Sequence, residues 1–298
     1  MPLEITVVNN TRDNTQQLFR LLDSLEQQTY TKECYDIIVA DDSESNETAR
    51  LFNERPMPVV PTFFQSDKGR GRQYGRNQAF KNSEAGTLLF LDDTCIAPAT
   101  LLEEHVNAHK QFKRTIVRGP LISQRGDSIK EITGSFRAPQ LDFTMINASI
   151  PKLCLAQVGH MREDCAERFL DTDVYWPLMF SRFKEKFISK TYCFQDSRYY
   201  QDLNVSVLKK RADRMASSAV DFYFHDPKKE MLEFLRGFKV PLDTIQEMLA
   251  MCAPSADFTA ALISGKLEGR GFVQSKLMEV VYHYHFKQKL ISKLKTYR

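Results

Sequence analysis

Four apolar runs alternate with longer amphipathic stretches over the first 112 residues of the chain. These runs are rich in β-branched or aromatic residues, which favour strands; they are residues 3–8, 35–40, 58–65 and 87–91. The stretches between them carry apolar residues at helical spacing, of which the clearest set is Leu18, Leu21, Leu22 and Leu25. Strands that are connected through helices run parallel. The sequence therefore predicts an α/β fold with a mostly parallel central sheet and helices on both faces.

The composition is that of an ordinary soluble globular protein, with 42% apolar and 27% charged residues. A net charge of +3 produces no field that would draw the whole chain onto nucleic acid, so no nucleic-acid partner is expected. The six cysteines are scattered and form no Cys-x-x-Cys pair, which predicts reduced thiols. The first residues enter a strand without the pattern of a secretory signal. A cytoplasmic protein is expected.

The chain changes character towards its C-terminal part. Residues 1–227 are predicted to form the α/β domain, and residues 228–298 a helical appendage that offers a surface for self-association. The last helix, from about Gly271, carries five lysines and one arginine against one glutamate between Lys276 and Arg298. Two interpretations stay open: a packed helix with a solvated basic face, or an interfacial helix that contacts anionic lipid peripherally at the inner face of a membrane.

Two pairs of acids follow predicted strands directly. Asp41 and Asp42 come after the second strand, and Asp92 and Asp93 after the fourth. Because ligands of parallel sheets bind beyond the carboxyl ends of the strands, these four acids are expected to converge. Neighbouring carboxylates repel each other, and a hard divalent cation such as Mn²⁺ or Mg²⁺ would relieve that cost. For the first pair, an N-terminal helix cap is the alternative.

A basic stretch, residues 66–79, precedes a helix predicted over 75–85. It holds four cations within nine residues; they are Lys68, Arg70, Arg72 and Arg76. Its glycines fit neither the dinucleotide-binding fingerprint nor the P-loop. The stretch is either a solvated basic loop or a flexible cationic loop that covers a diphosphate.

Three of these segments, in their order and spacing, resemble the family 2 inverting glycosyltransferases with the GT-A fold. They are DIIVADDSESNETA, SDKGRGRQYGRNQAF and TLLFLDDTCIAP. The resemblance extends over residues 3–121. It implies a Rossmann-like GT-A domain whose nucleotide-binding half is about residues 1–121 and whose acceptor half is about residues 122–227.

The resemblance also implies a donor site. Asp42 would bind the nucleotide base, and Asp93, with Asp92 beside it, would hold Mn²⁺ or Mg²⁺ on the diphosphate. The full set of nucleotide-binding residues implied is Thr11, Asp41, Asp42, Lys68, Arg70, Arg72, Arg76, Asn77 and Asp92.

A second segment, residues 193–211, resembles the acceptor side of the same family less closely. It places Asp202 at the position of the catalytic base, and the pair Glu163–Asp164 is the other candidate for that role. Further along, His225 stands where relatives often carry a histidine near the metal or the diphosphate. Gln201 departs from the glutamate that is usual before the base.

These expectations together describe a metal-dependent inverting glycosyltransferase. It would move a sugar from a nucleotide-diphosphate sugar, with uridine the commonest nucleotide in the family, to a hydroxyl of a glycan, a lipid-linked molecule or a protein. The opening VVNNTRD departs from the family pattern, so a nucleotide-binding protein without turnover is one alternative. A sugar nucleotidyltransferase is another.

One further pair of residues has the spacing of metal ligands. His105 and His109 lie four residues apart on a predicted helix, but the glutamate of the His-Glu-x-x-His motif is absent. A pair of surface or hydrogen-bonded histidines is the favoured interpretation.

Overall fold

The structure is a computed structural model, and it describes most of the first two thirds of the chain. The described residues are 2–66, 70–125, 128–131, 145–159, 161–163, 171, 174–175, 178, 181–196 and 292. The chain divides into two compact units: Met1–Cys165 with Leu170–Tyr199, and Ala166–Phe169 with Tyr200–Arg298. All contacts given below lie in the first unit. The predicted boundary at residue 227 and the helical region 228–298 fall outside the described residues, apart from position 292, and stay predictions.

Eleven strands and five α-helices are found in the described part of the chain. The strands are β1 Ile5–Thr11, β2 Tyr35–Asp41, β3 Thr62–Gln65, β4 Thr87–Asp92, β5 Cys95–Ile96, β6 Thr115–Arg118, β7 Leu121–Arg125, β8 Ser128–Glu131, β9 Ala148–Pro151, β10 Lys184–Phe187 and β11 Cys193–Asp196. The helices are α1 Thr15–Glu26, α2 Glu47–Glu54, α3 Gly71–Asn82, α4 Leu101–Gln111 and α5 Lys152–Val158. Among these helices, none is both long and apolar enough to cross a membrane.

The strands form two sheets. A seven-stranded sheet has the order β10-β6-β9-β4-β1-β2-β3, and every neighbouring pair in it is parallel except the two pairs that include β9. A four-stranded sheet has the order β5-β11-β7-β8. The predicted α/β fold with a mostly parallel central sheet is confirmed.

Burial of the central strands and of α1 explains why these segments fold as they do. β2 is buried at almost every position, as expected of a parallel strand that is covered on both faces. The four leucines predicted to form one face of α1 are fully buried in the core beside Ile5 and Val7. Burying a leucine side chain contributes about 1.5–3 kcal/mol, so this stripe is enough to fix the helix on the sheet.

β1 is longer than its apolar run predicts, because it continues through Asn9 and Asn10 to Thr11. Both neighbouring strands hold this polar segment in a parallel ladder, in which Asn10 is level with Asp92 of β4 and Thr11 with Asp41 of β2. Pairing on both sides satisfies the backbone groups, which apolar periodicity cannot show. The carboxyl ends of β2, β1 and β4 therefore meet at one edge, and the predicted convergence of the acids is confirmed.

Helix α3 begins at Gly71, four residues before its predicted start. Gly71 has a φ of +76°, which favours glycine. A Cβ on Gly75 would lie 1.9 Å from Asn10 Nδ2 and 2.6 Å from Ala40 Cβ, so glycine allows α3 to approach the ends of β1 and β2. As a result Arg72 is a helical residue, like Arg76 of the predicted helix, and the expectation of a loop is wrong for residues 71–74.

The helix-cap interpretation of Asp41 and Asp42 is also wrong. α2 begins at Glu47, and the residue that precedes it, Asn46, makes no side-chain capping bond. Asp42 lies four positions before Asn46, so neither aspartate occupies the capping position of α2.

Candidate functional site

Asp92 and Asp93 lie at the end of β4 and differ in their surroundings. Asp92 Oδ1 accepts hydrogen bonds from Thr94 N (3.1 Å) and Thr94 Oγ1 (2.9 Å), and the Asp92 side chain is 17% exposed. Asp93 is buried; its Oδ2 accepts a bond from Thr11 Oγ1 (2.8 Å) and its Oδ1 a bond from Asn14 Nδ2 (3.3 Å). The predicted nucleotide contact Thr11 thus connects the end of β1 to Asp93.

This pair of acids carries an unfavourable concentration of negative charge. Burial, followed by the negative charge of Asp92, raises the pKa of Asp93 to about 7, although the bonds from Thr11 and Asn14 act in the opposite direction. A carboxyl group whose ionised form is this costly is stabilised by any cation that arrives beside it. A positive charge beside the pair would lower the cost of ionising Asp93.

Asp41 and Asp42 lie at the end of β2, on the other side of β1. Asp41 is fully buried; its Oδ1 accepts bonds from the backbone N (2.9 Å) and the hydroxyl of Ser43, and no bond partner for its Oδ2 is found in the described part of the chain. Asp42 is half-buried, and its carboxylate accepts bonds from Ser66 Oγ (2.7 Å) and Gly71 N (3.2 Å). Because only Asp42 has an appreciable exposed surface, it is the member of the pair that a ligand can reach.

A small cleft that is partly open to solvent lies at this edge of the sheet. It is lined by the polar residues Asn10, Arg72, Arg76 and Asp92 and by apolar side chains that include Phe90, Met145 and Ile146. Arg72 Nη2 lies 4.0 Å from Asp92 Oδ2, and the Arg72 side chain is 46% exposed. The cleft thus has a charged part around Asp92 and Arg72 and an apolar part around Met145.

Arg76 is buried and bound to an acid that the sequence did not single out. Its Nη1 donates to Asp171 Oδ1 (2.6 Å) and to Gln73 Oε1 (3.0 Å). Burial alone would raise the pKa of Asp171, but the guanidinium of Arg76 and the bond from Met145 N hold it below its usual value. No motif surrounds Asp171 in the sequence, so only the folded chain could identify it.

Asn77 and Arg70 contact the segment 161–163. Asn77 Nδ2 donates to Met161 O (2.8 Å) and to Glu163 Oε1 (2.9 Å), and Asn77 Oδ1 accepts from Met161 N (3.1 Å). Arg70 Nη2 lies 3.5 Å from Glu163 Oε2, and its guanidinium lies over the ring of Tyr74. The Asn77 amide is thus occupied by protein groups, and so is the carboxylate of Glu163, the alternative candidate for the base.

Some predicted site residues lie outside the described residues, and their roles stay predictions. They are Lys68, Asp202, His225 and Asp164 of the alternative pair. In the described ranges, no group of three or more histidine, cysteine or acidic side chains gathers as a complete metal centre.

The histidine pair on α4 does not form a metal site. His105 Nε2 donates to Asn147 Oδ1 (3.1 Å), and Ser149 Oγ lies 2.8 Å from His105 Nδ1 and 2.7 Å from His109 Nε2. Burial lowers the pKa of His105 to about 3 and that of His109 to about 4, so both rings are neutral near pH 7. The prediction of hydrogen-bonded histidines is confirmed.

Comparisons with known proteins agree with this arrangement. Residues 4–162 match the family model described as Glycosyl transferase family 2, which covers 159 of the 298 residues. The uncharacterized glycosyltransferase YfnE of Bacillus subtilis (strain 168) is 28% identical over 117 residues. That alignment covers 39% of this chain and only 30% of YfnE.

Solved structures with a similar fold cover nearly the whole chain. Mannosyltransferase PcManGT from Pyrobaculum calidifontis, in complex with GDP-Man and Mn²⁺, has a TM-score of 0.66 at 15% identity and covers 98% of this chain and 89% of its own. Residues 1–349 of S. aureus TarS have a TM-score of 0.57 at 15% identity, with coverages of 99% and 92%. The complex of the same TarS fragment with UDP-GlcNAc also has a TM-score of 0.57. At these identities the likeness shows the fold alone.

Proposed function

Because the chain belongs to glycosyl transferase family 2, we propose that it binds a nucleotide-diphosphate sugar at the carboxyl end of its sheet and transfers the sugar to an acceptor hydroxyl. One observation carries the proposal: Asp92 and Asp93 form an acidic pair, in which Asp93 is buried and Asp92 lines a cleft that Arg72 also lines. The ends of β1 and β2 bring Thr11 and Asp42 to the same edge.

The acids at the end of β4 fit a divalent cation. Both offer hard oxygen atoms. Burial, and after it the charge of Asp92, raises the pKa of Asp93, and a nearby cation would favour its ionised form. Mg²⁺ is commonly bound through one or two carboxylates together with the phosphates of a substrate, and Asp92 and Asp93 would supply such carboxylates. We assign Asp93 and Asp92 to hold Mn²⁺ or Mg²⁺, with His225 as a candidate partner. When bound, the cation neutralises the charge that develops on the leaving diphosphate.

The side chains around this pair have separate tasks. Asp42 accepts the imide N–H of a uracil base, for which a half-buried carboxylate at a strand end is suited. Arg72 donates to the diphosphate from the first turn of α3, where the positive end of the helix dipole adds to its charge. A UDP-sugar is the proposed donor, in line with the UDP-GlcNAc bound by TarS. The GDP-Man bound by PcManGT makes a GDP-sugar the alternative.

Asp202 completes the proposed reaction. It takes the proton from the acceptor hydroxyl as that oxygen attacks the anomeric carbon on the face opposite the leaving group, and a single displacement of this kind inverts the configuration. The acceptor is a hydroxyl of a glycan, a lipid-linked molecule or a protein. A lipid-linked acceptor would explain the basic segment 271–298, if this segment contacts the membrane surface.

A thermal-shift panel tests the donor site. UDP, GDP, CDP and dTDP are each added with and without Mn²⁺ to the wild-type chain and to Asp93→Asn. A ligand at about 100 times its dissociation constant adds about 2.7 kcal/mol of stability, which moves the melting temperature by several degrees. We expect one nucleotide to stabilise the wild type only with Mn²⁺. If no nucleotide shifts the melt under either condition, the proposed donor site is wrong.

Turnover is tested separately with the sugar nucleotide that binds. Release of the nucleoside diphosphate in the presence of acceptor candidates should be lost in Asp202→Asn, while that variant still binds the donor. A wild-type chain that binds the donor but never releases a sugar would indicate a nucleotide-binding protein without turnover.

A further inference from the structure

We propose that Asp171 is a positioning residue that fixes the part of the cleft wall which selects the donor sugar. It would act through two groups, the guanidinium of Arg76 and the backbone N–H of Met145. This inference rests on the proposed function, because it names the element of the same site that distinguishes a sugar nucleotide from the bare nucleotide.

One carboxylate joins two separate parts of the fold. Asp171 Oδ1 accepts a bond from Arg76 Nη1 at 2.6 Å, and Asp171 Oδ2 accepts a bond from Met145 N at 2.9 Å. The side chains of Arg76 and Asp171 are only 6% and 20% exposed. Short bonds between charged groups in a buried place are strong, so Asp171 ties α3 to the residues that precede β9.

The tied residues belong to the wall of the cleft. Met145, Ile146 and Arg76 all line it, together with Asp92. β9 runs antiparallel to β4, with Ala148 opposite Phe90. The residues just before β9 therefore lie at the same edge of the sheet as the acids that follow β4.

The order of the strands places these residues beside the sugar. Along the sheet, β2 carries Asp42, β1 carries Thr11, β4 leads into Asp93, and β9 comes next with Met145 before it. Neighbouring strands are about 4.8 Å apart, so a ligand whose base lies at β2 and whose diphosphate lies at β4 extends its sugar towards β9. The apolar side chains of Met145 and Ile146 then offer a surface for one face of the sugar ring.

The substitution Asp171→Asn isolates this role. It removes the negative charge that faces Arg76 but keeps the shape of the side chain and an acceptor for Met145 N. Leaving a buried guanidinium without its counter-charge is costly, so we expect Arg76 and the Met145 wall to shift while the ends of β1, β2 and β4 stay in place.

The measurement is isothermal titration with UDP and UDP-GlcNAc, and with GDP and GDP-mannose, each in the presence of Mn²⁺. For the pair of ligands that the wild type binds, we expect Asp171→Asn to weaken binding of the sugar nucleotide about tenfold and binding of the bare diphosphate by less than about twofold. A displaced wall affects only the group that touches it.

Glu185→Gln is the matched control. Glu185 Oε1 pairs with Arg118 Nη1 at 2.7 Å, and the two side chains are 27% and 19% exposed. The substitution Glu185→Gln therefore removes the same charge from a comparable ion pair, whose residues are not among those that line the cleft. Both ligands should bind this control as they bind the wild type. A general loss of stability would change ligand binding by both variants in the same way. It would not weaken binding of the sugar nucleotide more than binding of the diphosphate.

Equal weakening of both ligands in Asp171→Asn, or none, would overturn the inference and leave the donor site in place. If Asp171→Asn does not fold, Ile146→Ala trims the same wall without touching the ion pair, and it must give the same selective loss. A wild-type chain that binds no nucleotide would overturn the proposed function and this inference with it.

Discussion

Two buried polar clusters of this protein show how differently the fold treats polar groups. The first is the acidic edge, defined here as Asp92 and Asp93 with Thr11 and Asn14. The second is the histidine cluster, formed by His105, His109, Asn147 and Ser149. In the acidic edge the pKa of Asp93 is raised to about 7 by burial and by Asp92, whereas in the histidine cluster burial lowers the pKa of His105 to about 3.

The histidine cluster is neutral and is bonded from within. Asn147 accepts from His105 and donates to Pro120 O (3.2 Å) and Thr191 O (2.7 Å), so one amide connects α4, the end of β6 and the segment before β11. Such a network helps to specify the fold. The acidic edge keeps like charges together beside an open cleft, an arrangement that costs stability unless something positive binds there.

The largest expected effect comes from Asp93→Asn, which should abolish the Mn²⁺-dependent stabilisation by nucleotide. The ligand-free melting temperature should stay the same or rise, because the substitution removes a buried negative charge next to Asp92. A thermal melt with and without nucleotide and Mn²⁺ measures both effects. Asp36→Asn is the control, since burial also raises the pKa of Asp36, which lies at the amino end of β2. A nucleotide shift that persists in Asp93→Asn would contradict the assignment.

The second largest effect should be on stability alone. Asn147→Gly keeps the left-handed backbone at this position, where φ is +53°, but removes the amide. Two buried carbonyls and the His105 N–H then lose their partner, and we expect a loss of about 2–4 kcal/mol in the free energy of unfolding. Urea denaturation measures this loss. The nucleotide-dependent thermal shift should remain; its disappearance would mean that the two clusters are coupled.

Gly75→Ala should have a smaller effect that reaches both regions. The added Cβ would clash with Asn10 and Ala40 and push α3 away from the sheet, at a cost of about 1–3 kcal/mol. Because α3 carries Arg72, nucleotide binding should weaken as well. Gly86→Ala is the control, since a Cβ there meets nothing within 4 Å. If Gly75→Ala is as stable as Gly86→Ala, the close packing of α3 on β1 is wrong.

The smallest effect is a pH dependence of the histidine cluster. The pKa values of about 3 and 4 lie below the value of about 6.5 expected in the unfolded chain, so the unfolded state binds more protons between these limits. Stability from this source is complete above about pH 6.5 and is lost as the pH falls, by at most about 1.4 kcal/mol per pH unit for each histidine. Urea unfolding between pH 5 and 7 should show a shallower slope in His105→Asn than in the wild type. Equal slopes would mean that the pKa of His105 is the same in the folded and the unfolded chain, which would contradict the predicted lowering.

Local features of the sequence were sufficient for the larger part of the fold and for the acidic edge. The apolar runs predicted β1, β2 and β4, and the acids that follow the runs marked the edge of the sheet where these strands end. This works because the period of an apolar pattern and the end of a strand are local properties, and parallel strands must place their carboxyl ends together.

Other features depended on residues far apart in the chain. The sequence did not predict the antiparallel β9 between β4 and β6, the extension of β1 through Asn9 and Asn10, or the start of α3 at Gly71. Each is stabilised by a long-range contact, such as the ladder between Asn10 and Asp92 or the approach of Gly75 to Ala40.

The sequence by itself determined that this chain builds a mostly parallel sheet with four aspartates at one edge. Neighbouring residues alone determine the apolar pattern of a strand and the point where it ends. Only the tertiary structure decided which of these acids is buried, which faces the cleft, and that Arg76 is bound to Asp171 rather than exposed. Burial and pairing depend on the atoms that surround a group after folding. These atoms come from β1, α3, the residues before β9 and Asp171, and Ile5 and Asp171 lie 166 positions apart in the chain.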